Sequence, residues 1–111
     1  MFISGATGIH AASINGFFDP TQEKGADGRV LYAKRGDANV CIEHFTNNTW
    51  QVKPVSDKGK NRCFASVQGN CALQACTSLV WKVCIDGKTF LEAPVVTIVT
   101  EAEVSCCCMR S

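Results

Sequence analysis

Two cysteine spacings in this chain fit metal chemistry. Cys41-Ile-Glu-His44 and Cys71-Ala-Leu-Gln-Ala-Cys76 would together supply three thiolates and one imidazole, a donor set that suits a tetrahedral structural zinc ion. Strand geometry works against it. On one extended strand Cys41 and His44 point to opposite faces, and a zinc knuckle needs a turn between its ligands, yet neither pair carries an internal Gly or Pro. Free, half-buried thiols are the alternative for the three cysteines. Nucleophilic catalysis has the same few residues to draw on. With His10 and His44 as the histidines, the pairing open to a thiol enzyme is His44 with Cys41 or Cys63.

Three further thiols, Cys106, Cys107 and Cys108, stand side by side near the carboxyl end. Cys108-Met-Arg-Ser111 has the length and terminal serine of a prenylation box, with Cys106 and Cys107 beside it as palmitoylation sites. Arg110 stands where such a box is normally aliphatic, and the preceding Glu101-Ala-Glu-Val is acidic where basic residues are expected. The competing reading is a redox-labile terminus. A membrane is therefore a partner only if this tail is lipidated. The other five cysteines, Cys41, Cys63, Cys71, Cys76 and Cys84, are an odd set that cannot pair completely among themselves. Lys53, Lys58, Lys60 and Arg62 make a basic stretch around a turn that could hold a phosphate or an acidic peptide.

The elements that must position these residues are strands. Short β-branched and aromatic runs alternate with Gly, Asp, Asn, Lys and Pro, which predicts strands over 12–18, 29–34, 39–45, 49–53, 63–68, 79–84, 88–92 and 94–100. Asp86-Gly87 predicts a two-residue type I′ hairpin turn. Loops are expected over Asp19–Gly28, Arg35–Ala38 and Ser56–Asn61, and one helical turn within Asn70–Cys76. Trp50 and Val52 share a strand face, as do Leu79, Trp81 and Val83. The segments Trp50-Gln-Val-Lys53 and Trp81-Lys-Val-Cys84 look alike, and core packing accounts for both.

Several classes fall away on composition and context. Eleven basic against ten acidic residues give no global field for nucleic acid or an anionic membrane, and no nucleic-acid partner is expected. Gly5-Ala-Thr-Gly8 imitates a dinucleotide-binding turn, but only three residues precede Ser4, and Asn15-Gly16 and Pro20 interrupt the helix that should follow. No secretory leader or long apolar span is visible, so a cytoplasmic location with reduced thiols is the expectation, and the Asn47-Asn48-Thr49 sequon reads as chance.

Ile14-Asn-Gly-Phe-Phe-Asp-Pro-Thr21, Tyr32-Ala-Lys-Arg-Gly-Asp37, Trp50-Gln-Val-Lys-Pro54, Lys58-Gly59, Trp81-Lys-Val83 and Asp86-Gly-Lys-Thr-Phe90 follow one another in a familiar order. The series resembles uncharacterised repeat-type β modules in large proteins of dinoflagellate algae and other unicellular eukaryotes, over about residues 3–100. The resemblance implies binding or architecture and brings no catalytic residues with it.

The expectation is an all-β fold: a flexible leader over 1–11, a single small antiparallel barrel or sandwich of about seven or eight strands over 12–100, and a Cys-rich tail over 101–111. Its core would be built on Trp50, Trp81, Val52, Val83, Leu79, Tyr32 and Phe90. The expected function is a non-enzymatic protein-interaction or architectural module that binds a protein or a small anionic ligand through strand edges and the 19–28 and 56–62 loops, without a cofactor. The alternatives are a small thiol- or zinc-dependent enzyme and a barrel enclosing a small ligand.

Overall fold

Strands β4 (Val40–Phe45) and β5 (Thr49–Pro54) pair residue for residue from Val40 opposite Pro54 to Phe45 opposite Thr49. The turn between them puts Asn48 at φ 63°, a left-handed conformation that Asn tolerates better than other residues with a Cβ. The same hairpin logic extends both ways. The computed structural model describes residues 1–76, 79–86 and 88–102, and they form one nine-stranded antiparallel sheet curled into a half-barrel. The other strands are β1 (Phe2–Ser4), β2 (Gly16–Lys24), β3 (Val30–Lys34), β6 (Ala65–Gln68), β7 (Trp81–Cys84), β8 (Phe90–Ala93) and β9 (Thr97–Val99). From β1 to β8 each strand pairs with its neighbours in sequence, and β9 returns to pair with β1. β8 and β9 are thus opposite edges of the sheet. Only residues 94–96 join them, a span of at most about 15 Å, so the sheet must curl to bring its two edges together.

Alternation decides what the curled sheet encloses. Ile42, Trp50, Val52, Ala65, Val67, Trp81 and Val83 face inward and meet Ile3, Phe18 and Ile98 in one core. Each end of the half-barrel is covered. At one end the short helix α1 (Ala11–Ile14) buries Ile14, and the Lys34 ammonium donates to the Ala12 and Ser13 carbonyls. At the other a 3₁₀ turn, Leu73–Ala75, buries Leu73 within the expected Asn70–Cys76 segment. Among the described residues no helix is long and apolar enough to cross a membrane.

The all-β expectation holds, with nine strands in place of seven or eight. The additional strand lies in the supposed flexible leader: Phe2 pairs with Phe17 on one side and Val99 on the other, and Ile3 is fully buried. The Asn15 side-chain amide further ties this segment down, accepting from Ala6 N at 3.0 Å and donating to Ala6 O at 2.9 Å. Three apolar residues carry no readable period, and their partners are remote in sequence. The strand expected over 12–18 divides into α1 and β2, and β2 continues to Lys24 through the expected loop, its register shifting between Pro20 and Lys24. A proline is tolerated where the ladder is irregular.

The β7–β8 hairpin pairs Cys84 with Phe90, and Ile85 N donates to Thr89 O at 3.0 Å. Three residues, 86–88, therefore separate the closing pair where a two-residue turn was expected, with the Asp86 carboxylate accepting from Lys88 N and Thr89 N. Gly87 itself lies outside the described residues. Leu79 and Phe90 are not core residues. Leu79 precedes β7, and Phe90 lies opposite Cys84 on the outer face of an edge strand. Cys106, Cys107 and Cys108 lie outside the described residues; the last stretch described places Glu101 3.1 Å from Arg35.

Gly5 gives a direct test of the leader's role. It adopts φ +90°, and a Cβ there would fall 2.1 Å from the Val95 carbonyl oxygen. Gly5→Ala is expected to cost about 1–3 kcal/mol and to lower the melting temperature, with faster amide exchange across β1 and β9. A melting temperature equal to wild type would mean that the segment is dispensable.

Candidate binding cleft

The outer face of the sheet is polar, and part of it is roofed. Cys41 and Glu43 on β4 and Gln51 and Lys53 on β5 point away from the core, yet all four are buried. Segment 57–60 folds over them. Lys53 Nζ donates to Glu43 Oε1 at 2.7 Å and to the Lys60 carbonyl at 2.8 Å, and Glu43 also accepts from Gly59 N at 3.0 Å and Ala26 N at 2.9 Å. Burial pushes the Glu43 carboxyl up, but the hydrogen bonds from Lys53, Gly59 N and Ala26 N outweigh it and hold the group below its ordinary value.

This arrangement corrects the basic stretch. Lys53 has no exposed surface, and Lys58 pairs with Glu23 at 3.0 Å, so Lys60 and Arg62 are what remains of it for a ligand. The two loops proposed as a binding surface instead supply the amides that close over Glu43. A lysine beside a polar loop looks solvated in sequence, and the roof that buries it depends on how the loop folds back.

Beside the roof lies an open cleft of about 450 Å³. Its floor is the outward register of β5, β6 and β7: Thr49, Gln51, Ser66 and Cys84. Asn61 to Phe64 wall one side and Phe90 the other, and His10 stacks on Phe64 at a centroid distance of 4.5 Å. Gln51 Nε2 donates to Thr49 Oγ1 at 3.0 Å and to Asn61 Oδ1 at 2.9 Å. Its Oε1 is buried and has no hydrogen-bond partner among the described residues. Cys63 also lines the cleft, and burial pushes its thiol up to about 11.

The sequence-derived metal set is not brought together. Cys41 is buried on the outer face of β4, where burial and then Glu43 push its thiol up to about 11. His44 points the other way, packs edge-on against Trp50, and is engaged at both ring nitrogens: Nδ1 with the Asp27 carboxylate, Nε2 with the Gly69 carbonyl at 2.9 Å. Both ring nitrogens face protein oxygens, so neither is open to a metal or a substrate. Burial raises the Asp27 carboxyl, while His44 and the backbone of Arg29 more than offset this and hold it low. Only Cys71 and Cys76 of the four meet, their Sγ atoms 3.0 Å apart. Among the described residues no three His, Cys, Asp or Glu side chains converge on one point.

The cleft residues Gln51, Ser66 and Asn61 escape sequence reasoning because neutral amides and hydroxyls have no diagnostic spacing. Strand parity was the available signal, since it places Thr49, Gln51 and Lys53 together on the face opposite Trp50 and Val52. No family model, curated protein or solved structure matches this chain.

Proposed function

We propose that this chain is a non-enzymatic binding module whose ligand lies in the outer-face cleft. The observation that carries this is the Gln51 amide. A buried acceptor without a donor costs free energy that a native fold rarely leaves uncompensated, and a ligand hydroxyl would supply the missing bond once the Gln51 side chain, which lines the cleft, turns its closed-off Oε1 toward it. Exchanging the amide oxygen and nitrogen would leave a donor in place of an acceptor and does not remove the vacancy. The cleft lining carries one acidic and one basic side chain, Asp57 and Arg62, so no net formal charge from the two selects a charged ligand, and the surrounding chemistry favours an uncharged, hydroxyl-rich one, a saccharide. Thr49, Gln51 and Ser66 offer hydrogen bonds along the floor, with Phe64 and Phe90 as apolar surfaces at either side. A thiol enzyme has less support, since the Cys41 and Cys63 thiols stay protonated near neutral pH and His44 is committed at both nitrogens.

The test is binding of neutral oligosaccharides, screened on an array and measured by calorimetry. Gln51→Leu and Ser66→Ala should each weaken the bound sugar about tenfold, the worth of one hydrogen bond, with unchanged melting behaviour for Ser66→Ala. No saccharide bound by wild type, or equal affinity in both variants, would sink the proposal. One observation favours a protein partner as a second reading: edge strand β8 exposes Phe90 (36%) and Leu91 (53%) beside the cleft. A protein bound there would be retained by Gln51→Leu.

A further inference from the structure

Cys71 and Cys76 flank the 3₁₀ turn Leu73–Ala75, and the turn itself brings their side chains face to face. Cys76 N donates to the Leu73 carbonyl at 3.0 Å, which swings Cys76 back toward the start of the segment. The sulfurs are 3.0 Å apart, so a disulfide of about 2.05 Å requires only about 1 Å of approach. Gly69 lies alongside the pair: a Cβ at that position would be in ordinary contact with Cys71 Sγ at 3.4 Å and Cys76 Sγ at 3.7 Å.

We infer that Cys71 and Cys76 are a disulfide-forming pair, closed by exchange with a small-molecule disulfide such as oxidised glutathione. Half-buried Cys71 is the thiol a reagent reaches first, and Cys76 is buried against the core. The Cys71 thiolate attacks one sulfur of the small disulfide, forming a mixed disulfide and releasing one small thiolate. Cys76 then gives its proton to solvent, and its sulfur displaces the second small thiolate from Cys71. Two protein thiols are oxidised by two electrons, and one small disulfide is reduced to two thiols. Burial, and then the neighbouring Cys71, push the Cys76 thiol up to about 12, which suits Cys76 to the second step and not to the first attack.

The bond reaches beyond the two sulfurs. The Cys71 carbonyl accepts from Trp50 Nε1 at 2.9 Å and from Arg29 Nη1 at 3.0 Å, and Arg29 Nη2 also holds the Asn70 carbonyl at 2.8 Å. Arg29, Trp50, Asn70 and Leu73 line a recess of about 440 Å³ at this end of the half-barrel. Fixing the 71–76 segment fixes the rim of that recess, so its shape follows the oxidation state of the pair.

The full-length chain is equilibrated in glutathione buffers from reducing to oxidising, alkylated and digested with trypsin. The peptide spanning 63–82 is the informative product, since it contains Cys63, Cys71 and Cys76. In reducing buffer it should carry three alkyl groups; in oxidising buffer it should carry one, on Cys63, and be lighter by about 2 Da than a singly alkylated peptide with two free thiols, the two hydrogens lost on disulfide formation. Closing so short a loop should also slow exchange of the Trp50 indole hydrogen about tenfold. Cys71→Ser, which leaves buried Cys76 in the core, should show neither change. Alkylation of both Cys71 and Cys76 in the most oxidising buffer, or a bond to Cys63, would overturn the assignment. A Cys71–Cys76 bond without slower Trp50 exchange would overturn its coupling to the recess.

Discussion

Lys53→Met is expected to destabilise the chain by about 3–5 kcal/mol, the cost of leaving one member of a buried ion pair without the other. Lys53 and Glu43 are both out of solvent, 2.7 Å apart, under a roof that offers Glu43 only the amides of Gly59 and Ala26 in addition. Those two bonds do not neutralise a carboxylate. The double variant Glu43→Leu/Lys53→Met should recover most of the loss, because it removes the charge together with its partner. Acid exposes the same pair. Glu43 and Asp27 are held below their ordinary values of 4.5 and 3.8, so their contribution is complete above those values and is lost as pH falls through the depressed ones. In Lys53→Met the difference from wild type should narrow between about pH 7 and about pH 3, since protonating Glu43 removes the unpaired charge. Urea midpoints at the two pH values measure this, and a constant difference would place the destabilisation in lost packing.

What could be seen in the sequence was what depends on near neighbours. The β4–β5 hairpin shows its strand residues and its face alternation within fifteen residues, and both reappear in the structure. β1 could not be seen, because a strand of three residues becomes one only when Phe17 and Val99 arrive to pair with Phe2. The C-terminal part of β2 was obscured for a related reason: Pro20 and the charges after it resemble a loop, and only the pairing of Lys24 with Val30 makes them a strand. Lys53 is the instructive failure at the candidate site. Its place on an outward face was legible, but outward does not mean exposed once segment 57–60 lies over that face. Cys71 and Cys76 were visible as a spacing, and the turn that makes them neighbours was anticipated; what the spacing could not convey was the contact between their sulfurs.

Trp81→Ala should be the other severe change, costing about 3–5 kcal/mol as a large core side chain replaced by a methyl group. Trp81 is fully buried on the inward face, opposite Ala93 of β8 and two residues from Val83. A small side chain across the ladder leaves little that can collapse into the space. The similarity between Trp50-Gln-Val-Lys53 and Trp81-Lys-Val-Cys84 supplies an internal comparison, because the two indoles differ at the ring nitrogen. Trp50 Nε1 donates to the Cys71 carbonyl at 2.9 Å, whereas Trp81 Nε1 is buried with no hydrogen-bond partner among the described residues. Phe in place of Trp81 removes an N–H that is costly to bury, which offsets part of the lost volume. Phe in place of Trp50 removes a bond in use and leaves the Cys71 carbonyl to Arg29 alone. Trp81→Phe is therefore expected to be milder than Trp50→Phe by about 1 kcal/mol, although Trp81 is the more deeply buried ring. Denaturant midpoints at unchanged slope decide it. The opposite order would mean that packed volume, and not the hydrogen bond to the Cys71 segment, sets what each tryptophan contributes.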